Sequence, residues 1–204
     1  DRDPRDRRRE AKRNEILDAA AAGFRDEGYD NVSMDRIAEL AGASKRTVYN
    51  HFGSKEALFY AVVERHFERS HARVQLDYDE SASLESQLEA FGEIKAEMGA
   101  DPEWIGIFRM AFAVMIHEPR IAERVAQRGA AGEDALVRWI RAAHEAGRLD
   151  APDAAFAAGQ FWALVKSSLF WPQAVALGPA PDKKTRERVV GEAVKTFLAR
   201  YERA

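Results

Sequence analysis

The stretch from Val32 to Leu58, VSMDRIAELAGASKRTVYNHFGSKEAL, decides how the rest of the chain is read. Ser33 stands where a helix would begin, and a serine oxygen there accepts a backbone N–H that has no partner inside the helix. Ile37, Leu40 and Ala41 follow at the i, i+3, i+4 spacing of one helix face. Gly42 sits where the chain must turn, and glycine enters left-handed backbone space without a Cβ penalty. Ser44 is placed to cap a second helix, whose polar side carries Lys45, Arg46, Thr47, Tyr49, Asn50 and His51 while Val48 and Phe52 face the other way. Gly53 ends it, and Ser54 opens a third. A helix, a short glycine-containing turn and a polar-basic helix make a helix-turn-helix, whose second helix is shaped to lie in the major groove of DNA.

Three cations sharpen this reading. Lys45, Arg46 and Lys55 each fall in the first turn of a helix. That end carries partial positive charge, so a cation there costs roughly 0.3–1 kcal/mol where an acid would gain it. A bound polyanion removes the cost, because helix N-termini and basic side chains both attract phosphate.

Composition sets the frame. The chain has 204 residues, 46% hydrophobic and 32% charged, which is enough for a real core and one or two domains. Net charge is −3, so a nucleic-acid surface must come from local segregation of charge, and Arg36, Lys45, Arg46 and Lys55 do gather around the turn. There is no cysteine, which excludes disulfides, thiolate metal sites and a cysteine nucleophile and fits a reducing cytoplasm. No apolar run approaches the roughly 20 residues that span a bilayer, so no membrane partner is expected. The polar start carries no signal-peptide core, and a start at Asp1 leaves a longer N-terminus open.

Along the chain, residues 1–9 (DRDPRDRRR) read as a flexible mixed-charge arm, with a second reading in which Arg5, Arg7, Arg8 and Arg9 reach DNA. Residues 10–53 hold a first helix, with Ile16, Leu17, Ala20, Ala21 and Phe24 on its apolar face, and the helix-turn-helix. From Ser54 a helix runs to about Asp77, buried along Leu58, Phe59, Val62, Val63 and Phe67, with Arg65, Arg69 and Arg73 as a solvated column. Ser81–Met98 is amphipathic and is broken at Gly99–Pro102; Glu103–Ile116 is apolar all round and reads as buried. A short helix follows Pro119, then the small, flexible run Gly129–Gly132. Leu136, Val137, Trp139 and Ile140 mark the next helix. Pro152 opens another that stops before Pro172, and Asp182 is placed to cap the last. No segment alternates with period two, so the fold class is all-α, with about nine or ten helices and a continuous boundary between 10–53 and 54–204.

Enzyme chemistry finds no foothold. Glu68 and His71 have the i, i+3 spacing of a di-iron helix, but no second pair exists. The five histidines make no metal-ligand pattern, and there is no phosphate loop and no nucleophile elbow, so neither a metal nor a cofactor is expected. The aromatic wealth between Trp104 and Trp171 is either packed core or the lining of an apolar ligand cavity.

Gly28-Tyr29, Val32–Ala38 and the run from Ala41 to Leu58, with its T-V-Y-N-H-F-G-S-K-E-A-L, resemble the N-terminal domain of TetR/AcrR-family transcriptional regulators. Arg46 departs from the pattern, in which glycine is common, so base preference does not carry over. IFRMAFAVMIHEPRIAERV, Ile107–Val125, resembles the AefR-like C-terminal type. The resemblance implies a homodimeric, ligand-responsive regulator, a repressor that reads a palindromic DNA operator with 10–53. Residues 54–204 would then serve ligand binding and dimerisation. It assigns Ser33, Ser44, Lys45, Arg46, Thr47, Tyr49, Asn50, His51 and Lys55 to DNA, and a small hydrophobic ligand to Trp104, Phe108, Phe112, Met115, His117, Phe156, Gln160 and Trp162. The subunit interface it implies uses the last two helices, through Phe161, Val165, Leu169, Val190, Val194, Phe197 and Tyr201. Two other classes stay open at this level: an all-α enzyme with a hydrophobic active site, and a helical interaction protein whose helix-turn-helix binds no DNA.

Overall fold

The structure, a computed structural model, describes residues 3–73, 76–129, 135–176 and 178–203. Those residues form eleven α-helices and no strand: α1 (Pro4–Glu27), α2 (Met34–Leu40), α3 (Lys45–Phe52), α4 (Lys55–Arg73), α5 (Leu84–Ala100), α6 (Pro102–His117), α7 (Pro119–Gly129), α8 (Ala135–Glu145), α9 (Ala154–Leu169), α10 (Trp171–Ala176) and α11 (Lys183–Tyr201). The all-α reading stands. The short α10 raises the count: Pro172 sits at its second position, where a missing N–H costs nothing, instead of marking the end of structure. Ala130–Gly132 of the small-residue run lie outside the described residues.

Two compact units are present. The first runs through Phe67 and includes Gly106–Gly129; the second comprises Glu68–Ile105 and the chain from Ala130 on. In the first, Ile16, Leu17, Ala20 and Phe24 of α1 meet Ile37 and Val48 of the helix-turn-helix, Leu58, Phe59, Val62 and Val63 of α4, and Ile107, Met110 and Val114 of α6. Tyr60 donates from its hydroxyl to the Ile121 carbonyl at 3.2 Å, tying α4 to α7.

In the second unit α5, α8, α9 and α11 pack around Phe91, Leu136, Trp139, Phe161 and Phe197. The Trp139 indole N–H donates to Gln87 Oε1 at 2.9 Å, so the largest buried side chain has its polar atom satisfied. Asp182 Oδ1 accepts from the Thr185 N–H at 2.7 Å and starts α11 as expected.

Four expectations change. Residues 4–9 are not an arm but the first turns of α1: Asp3 accepts from the Arg5 N–H at 2.8 Å and Pro4 occupies the first turn, so the run is capped despite its charge. Arg65 is no solvated cation, because its guanidinium donates to Asp18 at 2.6 Å and to the Asn14 carbonyl at 3.3 Å. Gly99 does not break α5, which continues through Ala100; a Cβ at Gly99 would lie 2.7 Å from the Leu169 carbonyl oxygen, so the glycine admits the end of α9. The helix over Glu103–Ile116 is not buried all round, since Phe112 is 37% and Ile116 61% exposed.

Candidate functional site

The helix-turn-helix is built from local capping. Ser33 Oγ accepts from the Arg36 N–H at 3.1 Å and fixes the start of α2. At the turn the Gly42 N–H donates to the Glu39 carbonyl at 3.1 Å and the Ala43 N–H to the Ala38 carbonyl at 2.9 Å. This geometry takes Gly42 to φ +54, the left-handed region open to glycine. Ser44 Oγ accepts from the Thr47 N–H at 3.1 Å and lies 2.8 Å from Thr47 Oγ1. Val48, with no exposed surface, pins α3 to the core. The outer side of α3 is therefore Lys45, Arg46, Tyr49 and Asn50, all exposed, with Thr47 and His51 half-buried.

The cations differ in commitment. Lys45 Nζ lies 2.9 Å from Asp35, and that bond holds its pKa above the ordinary lysine value. Lys55 turns back from the start of α4: its Nζ donates to the Asp30 carbonyl at 3.1 Å and stands 4.7 Å above the Tyr29 ring. Arg46 has no ion pair among the described residues. Burial first, then the charges of Arg9 and Arg13, hold His51 below the ordinary imidazole pKa.

Two residues escaped the reading of the sequence. Lys12 of α1 donates to the carbonyls of Ala41 at 3.1 Å and Gly42 at 3.4 Å, placing a cation where α2 ends, the favourable end of a helix for positive charge. Asp35, the partner of Lys45, joins α2 to α3. Only Asp35 had a local signal, as an acid in the first turn of a helix. The Lys12 contact spans 29 residues of sequence and has none.

The eight residues assigned to a ligand do not form one set. Phe108, Phe112, Met115 and His117 belong to the first unit, where the rings of Phe108 and Phe112 stack at 5.7 Å. His117 alone of them lines a cavity of about 550 Å³ between the end of α1 and α6, with Phe24, Tyr29, Arg109 and Met110. Burial, and then the carboxylates of Glu56, Glu118 and Asp30, raise the Tyr29 pKa. Trp104, Phe156, Gln160 and Trp162 belong to the second unit. There Trp104 meets Phe170 edge-on at 5.4 Å, and Trp162 is buried, edge-on to Phe91 at 6.4 Å with Lys95 Nζ 5.3 Å from its ring. Phe156 is 62% exposed, and Gln160 accepts a hydrogen bond from the Tyr201 hydroxyl on the outer side of α9 and α11.

The seven side chains assigned to the subunit interface are instead core. Phe161, Val165, Leu169, Val190, Val194, Phe197 and Tyr201 are all buried within their own chain. The apolar stripe of α9 and α11 faces inward, because packing on α5 and α8 uses it first. What the two helices present outward is a groove of about 430 Å³ lined by Gln160, Ala163, Leu164, Ser167, Thr196 and Arg200, together with edges of Phe197 and Tyr201.

Known proteins share this fold. Residues 16–62 match the bacterial regulatory proteins of the tetR family, and residues 86–203 match the C-terminal domain of AefR-like transcriptional repressors. A TetR family transcriptional regulator from Pseudomonas syringae pv. tomato superposes with a TM-score of 0.82 at 38% identity, over 95% of this chain and 98% of that one. The flavonoid-responsive regulator FrrA superposes with a TM-score of 0.79 at 27% identity, over 95% and 99%. The transcriptional activator FasR of Mycolicibacterium smegmatis is 38% identical over 87 residues, 41% of this chain and 40% of its own length. This chain thus matches about two fifths of that curated relative. With its second domain match covering more than half of its length, the chain belongs to the TetR family of bacterial transcriptional regulators and carries a C-terminal domain of the AefR-like type.

Proposed function

We propose that this chain is a homodimeric transcriptional repressor of the cytoplasm. In this reading it binds a palindromic operator through α3 and is released by a small hydrophobic effector held in residues 54–204. The observation that carries the reading is the outward face of α3: Val48 faces the core while Lys45, Arg46, Tyr49 and Asn50 are exposed along one helix whose start and turn are fixed by Ser44 and Gly42. Arg46 reaches a base edge, where an arginine pairs two ways with guanine. Ser33, Ser44, Thr47, Tyr49, Asn50 and His51 supply the surrounding phosphate contacts, and Lys55 adds charge behind them. No catalytic role is assigned.

Release follows from the short connection between α3 and α4. The Ser54 N–H donates to the Phe52 carbonyl at 2.8 Å, and α4 begins at Lys55, so a tilt of α4 moves α3 with it. The effector acts only if it binds the tilted state more tightly, since equal affinity for both states shifts nothing. Of the eight, Trp104 and Trp162, both of the second unit, remain its candidate contacts; Phe108, Phe112, Met115 and His117 belong to the first unit and are not joined to them. Phe156 and Gln160, on the outer side of α9, are withdrawn from that set in favour of the subunit contact. A second copy of the chain is the occupant proposed for the outer groove of α9 and α11, since a short recognition helix needs two half-sites about 34–36 Å apart, or a multiple of a turn further, for affinity.

The test is selection of duplex sites by the purified protein, followed by a reporter driven from a selected site. A palindromic consensus and reporter repression are expected. No enrichment over random sequence sinks the reading, and reporter activation would reverse its sign, as in the activator FasR. Native mass spectrometry of protein purified from its host then looks for a bound small apolar molecule.

A further inference from the structure

Five cations lie on one face of α1's first turns. Taking about 100° per residue, Arg5, Arg8, Arg9, Lys12 and Arg13 fall within an arc of about 140°, and Asp6 and Glu10 fall beyond one edge of it. Packing fixes where that face points. Lys12 donates to the carbonyls of Ala41 and Gly42 in the turn, and the Arg13 guanidinium stands 5.3 Å from the Phe52 ring at the end of α3. Arg9 and Arg13 both act electrostatically on His51 of α3. From Arg13 back to Arg5 the same face continues for about 12 Å beyond these contacts, at 1.5 Å per residue. Arg5, Arg8 and Arg9 are exposed and form no ion pair among the described residues.

Arg5 sits in the first turn of α1, the end of a helix that disfavours positive charge, and Arg8 and Arg9 follow in the next turn. Asp3 and Asp6 offset only part of that, and a row of phosphates would offset the rest. We propose that the first three turns of α1 are a second DNA-binding surface. In it Arg5, Arg8 and Arg9 hold the phosphate backbone flanking the base pairs read by α3. The proposal rests on the reading of α3 as the recognition helix, and continuity with that helix selects duplex DNA as the occupant. Because α1 is a capped helix and not a coil, binding orders only the arginine side chains and not the backbone that carries them. Contacts of this kind are blind to sequence; they lengthen the footprint and steepen the salt dependence.

The experiment uses the full chain and a random-sequence duplex long enough to span both half-sites and their flanks, read by fluorescence anisotropy over a salt series. R5A/R8A/R9A keeps or raises helix propensity, so circular dichroism should be unchanged. Its log K against log salt slope should fall by about 2–3 per subunit, with each phosphate contact worth about 0.9. The triple lysine variant should keep most of the wild-type slope. An alanine variant with the wild-type slope overturns the proposal, and so does a lysine variant that behaves like the alanine one. Wild-type protein that binds no duplex at low salt overturns the reading of α3 as well; wild-type binding with an unmoved slope overturns the α1 surface alone.

Discussion

Lys45 and Arg46 are neighbours at the start of α3, yet their circumstances differ. Lys45 is already paired with Asp35 at 2.9 Å, on the surface, where solvent and salt screen most of the attraction. Arg46 is exposed and without an ion pair among the described residues, which leaves it free for the base contact proposed above. Arg46→Ala should cost roughly 1–3 kcal/mol on a selected operator and little on random duplex. Equal losses on both, measured by competition binding, would demote Arg46 to a phosphate contact. His51 gives a prediction with a sign. In the free protein its pKa is depressed by burial and by Arg9 and Arg13, so the unfolded chain binds more protons just below the ordinary value of 6.5. Stability therefore falls as pH drops through that value, because the slope of stability with pH follows the extra protons bound by the unfolded state. A phosphate beside His51 works the other way by favouring the imidazolium. DNA affinity should rise between about pH 7.5 and about pH 6, and His51→Gln should flatten that rise. An unchanged pH profile in the variant removes His51 from the interface.

At the scale of the helix, two glycines of similar appearance should respond with opposite sign. Gly99, inside α5, faces the Leu169 carbonyl oxygen, which a Cβ would approach to 2.7 Å, and backbone at the end of α9 cannot swing away as a side chain would. Gly99→Ala should destabilise by about 1–3 kcal/mol, as overpacking does. Gly191, inside α11, has nothing within 4 Å of its Cβ position, so Gly191→Ala should stabilise by up to about 1 kcal/mol through helix propensity. Urea unfolding of the two variants checks both; similar shifts would mean that α5 and α9 yield at their contact. These glycines also mark what the sequence could and could not reveal. Periodicity identified the helices because Ile16, Val48, Leu58, Leu88 and Phe197 repeat at the spacing that burial requires. It read Gly99 as a breaker because a glycine that ends a helix and one that admits a neighbour look alike without the neighbour. It read residues 4–9 as an arm because charge density hid the Asp3-Pro4 start. It left Arg65 in solvent because Asp18 is 47 residues away. The nine residues proposed to meet DNA carry local signals, capping and polarity. The eight proposed to meet a ligand carry none, because aromatic side chains line cavities and fill cores in the same sequence pattern.

For the whole molecule, one rule governs α9 and α11: a side chain spent on its own core is no longer available to a second copy. The helical stripe that first draws the eye, Phe161, Val165, Val194 and Phe197, is buried in the unit formed with α5 and α8. The subunit contact proposed above would then use the opposite faces, where Leu164 is 38% and Phe156 62% exposed and the groove beside Gln160 and Arg200 is open. A charge separates the two surfaces. Phe161→Glu buries a carboxylate without a partner, costs several kcal/mol and should unfold the second unit outright. Leu164→Glu leaves that core intact, so circular dichroism and the unfolding midpoint of the monomer should change little. Two copies meeting on this face would bring the two carboxylates together, and light scattering should report a monomer at concentrations where the wild type is a dimer. Operator binding should fall with it, because one half-site alone supplies only part of the affinity of two. A Leu164→Glu protein that stays dimeric would move the subunit contact off the groove of α9 and α11, and would leave exposed Phe156 needing another explanation.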